Sequence, residues 1–176
     1  MTAKTSDAPP GQEFVISRVF DAPRDLVFKA FTDAERMKHW WGPKSFKVVK
    51  SEMDLRPGGI YHYCLRAPDG APIWGKFVYR EIAAPERVVL INSFSDEQGG
   101  TTHHPMMMSW PLEMLSIFTF EEVAGGKTRF TVRWSPHNSS EEERSTFGKG
   151  HASMTQGWTG TMDQLAAYLA TARKKS

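Results

Sequence analysis

A single cysteine, Cys64, in a chain of 176 residues rules out an internal disulfide. No stretch approaches the ~18 consecutive apolar residues that a membrane span needs. Residues 1–12 hold no apolar run of the kind that directs secretion. The expected setting is therefore the cytoplasm, with no membrane as partner. Charge of one sign is also scarce. Lys and Arg number 22 against 20 Asp and Glu, a net +2, and the basic residues are scattered among the acids, which leaves no footprint for nucleic acid. The one dense cluster, Arg173-Lys174-Lys175, reads as a solvated helix end that complements the macrodipole. The chain has no G-x-G-x-x-G or Walker pattern, no Cys-x-x-Cys, no His-Glu-x-x-His and no internal repeat. Neither a cofactor nor a metal is expected. His103 and His104 are adjacent and point apart in an extended loop, and Tyr63 and Leu65 offer Cys64 no base to make it a nucleophile.

What remains is the composition of one packed domain, 40% apolar and 24% charged. Residues 1–12, ending Ala8-Pro9-Pro10-Gly11, read as a disordered lead-in and residues 13–172 as the domain. A β-rich run over 14–20 is followed by Asp21-Ala22-Pro23, which starts a helix carrying Leu26, Val27, Ala30 and Phe31. Thr32-Asp33 interrupts it, and a second short helix over 34–41 stops at Gly42-Pro43. Six β runs follow, at 46–55, 60–67, 73–82, 87–94, 112–123 and 128–135. Turn formers such as Pro57-Gly58-Gly59, Pro68-Asp69-Gly70 and Gly125-Gly126 separate most of them. Without βαβ alternation, they predict an antiparallel meander.

From Ser139 to about Ala172 the pattern is helical. Acids follow Ser140, and Phe147, His151, Met154, Trp158, Met162, Leu165 and Leu169 form one stripe. Gly148, Gly150, Gly157 and Gly160 interrupt that stretch and imply a kink, a close backbone approach or a later helix start.

Alternation puts Tyr61, Tyr63 and Leu65 on one strand face and Gly75, Phe77 and Tyr79 on the next. If that face meets the helix stripe, aromatic rings and hydroxyls share an interior with Met154, Trp158 and Met162. Spacing alone favours a filled core over a binding pocket. The segment His104 to Met114, with Met106, Met107, Met108, Trp110 and Met114, reads as an adaptable apolar rim, or as further core. Glu81, His62, Glu113 and His151 are the titratable groups placed to approach an interior.

Phe20-Asp21-Ala22-Pro23, Trp40-Trp41-Gly42-Pro43, Asp54-Leu55-Arg56-Pro57-Gly58-Gly59, Pro68-Asp69-Gly70 and Gly157-Trp158 through Leu165 and Leu169 occur in an order that resembles the START-related family of Activator of Hsp90 ATPase homologue-like proteins. The resemblance spans about residues 13–170. It implies an α+β helix-grip fold of the START/SRPBCC (Bet v 1-like) superfamily, in which a curved antiparallel sheet wraps a long C-terminal helix, with two short helices after the first strand. It also implies an apolar cavity between sheet and helix. The ligand-binding residues would be Tyr61, Tyr63, Phe77, Tyr79, Met108, Trp110, His151, Met154, Trp158 and Met162, taking an apolar or aromatic small molecule. Two other roles come with the resemblance: a co-chaperone with an Hsp90-type partner, and a polyketide cyclase or aromatase using Tyr61, Tyr63, His151 and Glu81. A homodimer is compatible with either. Trp40 and Trp41, about 100° apart if helical, imply one buried ring and one flanking the cavity mouth.

Overall fold

The alternation of Phe14–Phe20 produces the first strand, β1, with Phe14 and Phe20 buried and Val15 and Val19 exposed. The structure is a computed structural model that describes residues 13–175, with side chains through Ala172. The lead-in expected at 1–12 lies outside the described residues. After β1 come helices α1 (Arg24–Phe31) and α2 (Ala34–Met37). Strands β2 (Lys47–Met53), β3 (Ile60–Arg66), β4 (Pro72–Ala83), β5 (Arg87–Ser95), β6 (Thr101–Thr102), β7 (Glu113–Val123) and β8 (Lys127–His137) follow. Helices α3 (Glu141–Lys149) and α4 (His151–Lys175) close the chain. The eight strands form one curved antiparallel sheet in the order β1-β8-β7-β5-β4-β3-β2, with β6 added beside β5. This is the helix-grip arrangement.

Two features differ from expectation and a third, the break in the C-terminal helix, follows what its glycines implied, each for a local reason. The second helix ends at Met37, not at residue 41, because the backbone N–H groups of His39 and Trp40 bond three residues back, to Arg36 and Met37, and tighten the chain out of α geometry before Gly42 turns it at φ +103°. The polar loop after β5 contains the two-residue strand β6. Asp96 folds that loop back, its Oδ1 accepting from the backbone N–H of Gln98 and Gly100. The long C-terminal helix is broken at Gly150. A Cβ there would lie 3.1 Å from the Trp110 ring, a close approach that glycine makes without displacing the ring. A capping box of Ser140 and Glu143 starts α3.

The core occupies one end of the space between sheet and α4. Phe31 from α1 sits among the rings of Trp40 (4.7 Å), Phe118 (5.4 Å), Phe120 (5.3 Å) and Phe130 (4.4 Å). Leu165 and Leu169 of α4 are fully buried with this aromatic group. Two turns earlier, α4 carries Met154, Gly157, Trp158 and Thr161 on the same face, and there the interior is open.

Candidate functional site

That opening is a cavity of about 850 Å³. Its walls come from the first half of α4, the inner faces of β3, β4, β5, β7 and β8, the stretch Trp41–Phe46 and the loop from His104 to Pro111. The sheet side is built by alternation. Tyr63 and Leu65 of β3, Phe77 of β4, Asn92 and Phe94 of β5, Met114, Ser116 and Phe118 of β7, and Trp134 of β8 all reach it. Tyr63 and Gly75 are direct cross-strand partners, and a Cβ on Gly75 would lie 2.5 Å from the Tyr63 ring carbon that bears the hydroxyl. Glycine at 75 therefore lets the tyrosine lie across the neighbouring strand. Trp158 faces this wall from α4, with ring centroids 5.8 Å from Trp41, 5.6 Å from Trp134 and 6.1 Å from Phe118.

The structure brings Tyr63, Phe77, Trp110, Met154 and Trp158 together around the cavity, and places the other five residues implied by the resemblance elsewhere. Tyr61 is buried beneath them, stacked on Tyr63 and joined at 2.9 Å to the Ser51 hydroxyl. Tyr79 lies in the core past Phe77, and burial pushes its hydroxyl, like that of Tyr61, well above the usual tyrosine range. Met162 is one turn beyond Trp158, where the interior is already filled. His151 packs between Phe14 and Phe147, each with its ring 5.6 Å away, because the break at Gly150 carries the start of α4 toward β1. Met108 is 70% exposed, and Met107 takes the place on the rim.

Glu81, Glu113 and His62 are also outside the lining. Glu81 pairs with Arg87 at the surface, Glu113 starts β7 opposite His137, and His62 stacks on Trp74 and bonds Ser95. Sequence reasoning missed Asn92, Ser116 and Trp134. They sit on the inward alternation of β5, β7 and β8 among apolar residues such as Leu90, Met114 and Val132, so their meeting is legible only once cross-strand register is known. Of the two tryptophans at 40 and 41, Trp40 is 1% exposed in the core, while Trp41 lines the cavity.

Among the described residues the lining holds no carboxylate. Its titratable side chains are Tyr63, His104 and Lys149. Burial pushes the Tyr63 hydroxyl up to about 12, partly offset by the indole N–H of Trp41, which lies against it without full hydrogen-bond geometry. His104 Nδ1 accepts the Met106 backbone N–H at 3.0 Å, so the neutral ring carries its proton on Nε2, and burial lowers its pKa. A depressed histidine binds fewer protons folded than unfolded, so stability should fall as pH drops through the ordinary value of 6.5. In His104→Gln that part of the slope should vanish, as measured by urea unfolding at pH 7.5, 6.5 and 5.5. An unchanged slope would show His104 titrating alike in both states.

Elsewhere the chemistry is sparse. No group of three or more His, Cys, Asp or Glu among the described residues is placed to hold a metal ion. Cys64 is buried and its thiol is pushed up by burial, which makes it a poor nucleophile. No helix of the described residues is long and apolar enough to cross a membrane.

A family model described as Activator of Hsp90 ATPase homolog 1-like protein matches residues 21–170. No curated protein matches the chain. Solved structures similar in fold include protein NE0264 from Nitrosomonas europaea, 21% identical over 94% of this chain and 99% of that one, with a TM-score of 0.73. Protein Ms6760 from Mycobacterium smegmatis is 23% identical over 93% and 96%, also at 0.73. A protein from Arthrobacter aurescens is 24% identical over 92% and 87%, at 0.74. At these identities the structural likeness concerns the fold.

Proposed function

The chain belongs to the Activator of Hsp90 ATPase homolog 1-like family, and from that premise we propose that it binds an apolar or aromatic small molecule between its sheet and α4. The observation that carries this reading is the cavity itself. Its 850 Å³ falls in the range of small-molecule sites, about 300–1,000 Å³, and its walls combine aromatic and thioether groups with hydroxyls, the Asn92 amide, the His104 imidazole and, from α3, Lys149. Met107, Met114 and Met154 give those walls adaptability, and Trp41, Phe77 and Trp158 give them flat faces.

Binding without conversion fits the titratable groups better than catalysis does. Acid–base chemistry on a bound substrate calls for a group poised near neutral pH beside a partner of opposite role. Here the lining lacks a carboxylate, Tyr63 is held far from neutrality, and His104, whose Nδ1 is taken up by the Met106 backbone N–H, has no carboxylate in the lining to act with it. A cyclase-like role would also draw on Tyr61, His151 and Glu81, none of which lines the cavity.

Tryptophan fluorescence tests the reading. Titration with N-phenyl-1-naphthylamine, a neutral aromatic probe, should quench emission saturably at about one equivalent, because Trp41, Trp110, Trp134 and Trp158 all line the cavity. A linear, unsaturable response would overturn it.

A further inference from the structure

Among the described residues that line the cavity, Lys149 is the one lysine, and neither an arginine nor a carboxylate accompanies it. His104, the other basic group there, is biased to its neutral form by burial. Lys149 is exposed and makes no ion pair within the described residues. The residues three and four positions from it on α3 and α4 are Ser145, Thr146, Ala152 and Ser153, so no acid lies within a helical turn. Thr146, Gly150 and Ser153 also line the cavity, and the junction of α3 with α4 thus presents it a cation flanked by two hydroxyls. Thr146 donates to the Ser109 hydroxyl at 3.1 Å, which fixes this end of α3 to the loop on the rim.

A lysine in the last turn of a helix complements the helix dipole, a role that by itself would account for a cation at 149. Here the carbonyl end of α3 meets the amide end of α4 at Gly150, so the two dipoles largely offset each other and the charge of Lys149 acts on the cavity mouth. An apolar cavity whose cation has no acid beside it favours an organic anion over a neutral molecule of the same shape. We propose that the ligand is an amphiphilic anion, with an aromatic body among Trp41, Phe77 and Trp158 and one carboxylate- or sulfonate-type group at Lys149, Thr146 and Ser153. This rests on the cavity being an apolar binding site, and it adds the charged group that orients the ligand there. Because Lys149 is exposed, the anion keeps part of its hydration, and the pair contributes about fivefold in affinity, the upper end for exposed ion pairs.

8-Anilino-1-naphthalenesulfonate is N-phenyl-1-naphthylamine with a sulfonate added to the naphthalene ring, so the two probes differ in the charged group alone. In Lys149→Met, which keeps an unbranched apolar stem, the affinity ratio of sulfonate to neutral amine should fall about fivefold, with the amine still bound to show that the variant is folded. Added NaCl should lower the same ratio in the wild-type protein and affect it less in the variant. Lys127→Met, at the turn between β7 and β8 and outside the lining, removes an equal charge and should leave the ratio at its wild-type value. The ¹³C-methyl resonance of Met154 should shift with either probe, as both occupy the cavity. An unchanged ratio in Lys149→Met, an equal fall in Lys127→Met, or sulfonate binding that leaves Met154 unmoved would overturn the inference, while saturable binding of the neutral amine would leave the apolar cavity standing. Failure of both probes to bind would instead remove the cavity reading, and the inference with it.

Discussion

Trp40→Ala should destabilise the domain by about 3–5 kcal/mol, the range for a buried aromatic truncated to alanine. The ring is 1% exposed, packs 4.7 Å from Phe31, and its indole N–H donates to the Ala30 carbonyl at 3.1 Å. Truncation therefore removes a core ring and also leaves a buried carbonyl without that donor. In a chain of this length the loss corresponds to a fall in Tm of about 6–20 °C. Trp41→Ala should cost clearly less, because that ring borders open space and its removal widens the cavity without leaving a sealed void. Urea unfolding of the two variants checks the pair. Equal losses would mean that the cavity-side ring is as tightly packed as the core ring.

Gly157→Leu should make the protein more stable and at the same time unable to take its ligand. Gly157 lies in the interior of α4, where leucine is favoured over glycine by roughly 0.8 kcal/mol. A Cβ at this position meets no heavy atom within 4 Å, yet the residue lines the cavity between Met154 and Thr161 on the same helix face. The new side chain would project into the cavity, fill part of it and bury apolar surface of its own. Stability should rise by about 1 kcal/mol or more, while N-phenyl-1-naphthylamine should bind at least tenfold more weakly. Glycine at this point exchanges stability for volume, a common arrangement at binding sites. Higher stability with unchanged probe affinity would show that the probe occupies another part of the molecule.

Much of the fold was legible from local chemistry. The alternation in Phe14–Phe20 marks β1 to the residue, and the glycine-containing turns at 57–59, 68–70 and 125–126 separate strands where positive φ is required. The site was legible in part, because periodicity reports which face a residue occupies and not how far along the interior it lies. Met154 and Met162 share one helix stripe but stand about 12 Å apart along the axis. The first borders the cavity and the second is packed in the core. His151 belongs to the same stripe by spacing, yet the break at Gly150 reorients the helix start and sets it against Phe14. Between Met107 and Met108 only the loop's own geometry decides which reaches the rim, and the bridge between His104 and Met107 settles it. Trp134 and Ser116 meet through register between strands far from the tyrosine-bearing β3, which no local pattern encodes.

The most direct test of ligand binding between sheet and α4 is a ¹³C-methyl methionine spectrum recorded as N-phenyl-1-naphthylamine is added. The chain has nine methionines, and those among the described residues are distributed between the cavity, the core and the surface. Ring currents from a probe in the cavity should shift Met107, Met114 and Met154, which line it, and reach their end point near one equivalent. Met37 and Met162, buried in the filled part of the core, should stay in place. Shifts confined to the exposed Met106 and Met108, with Met114 and Met154 unmoved, would contradict the account and place the apolar interaction on the protein's surface.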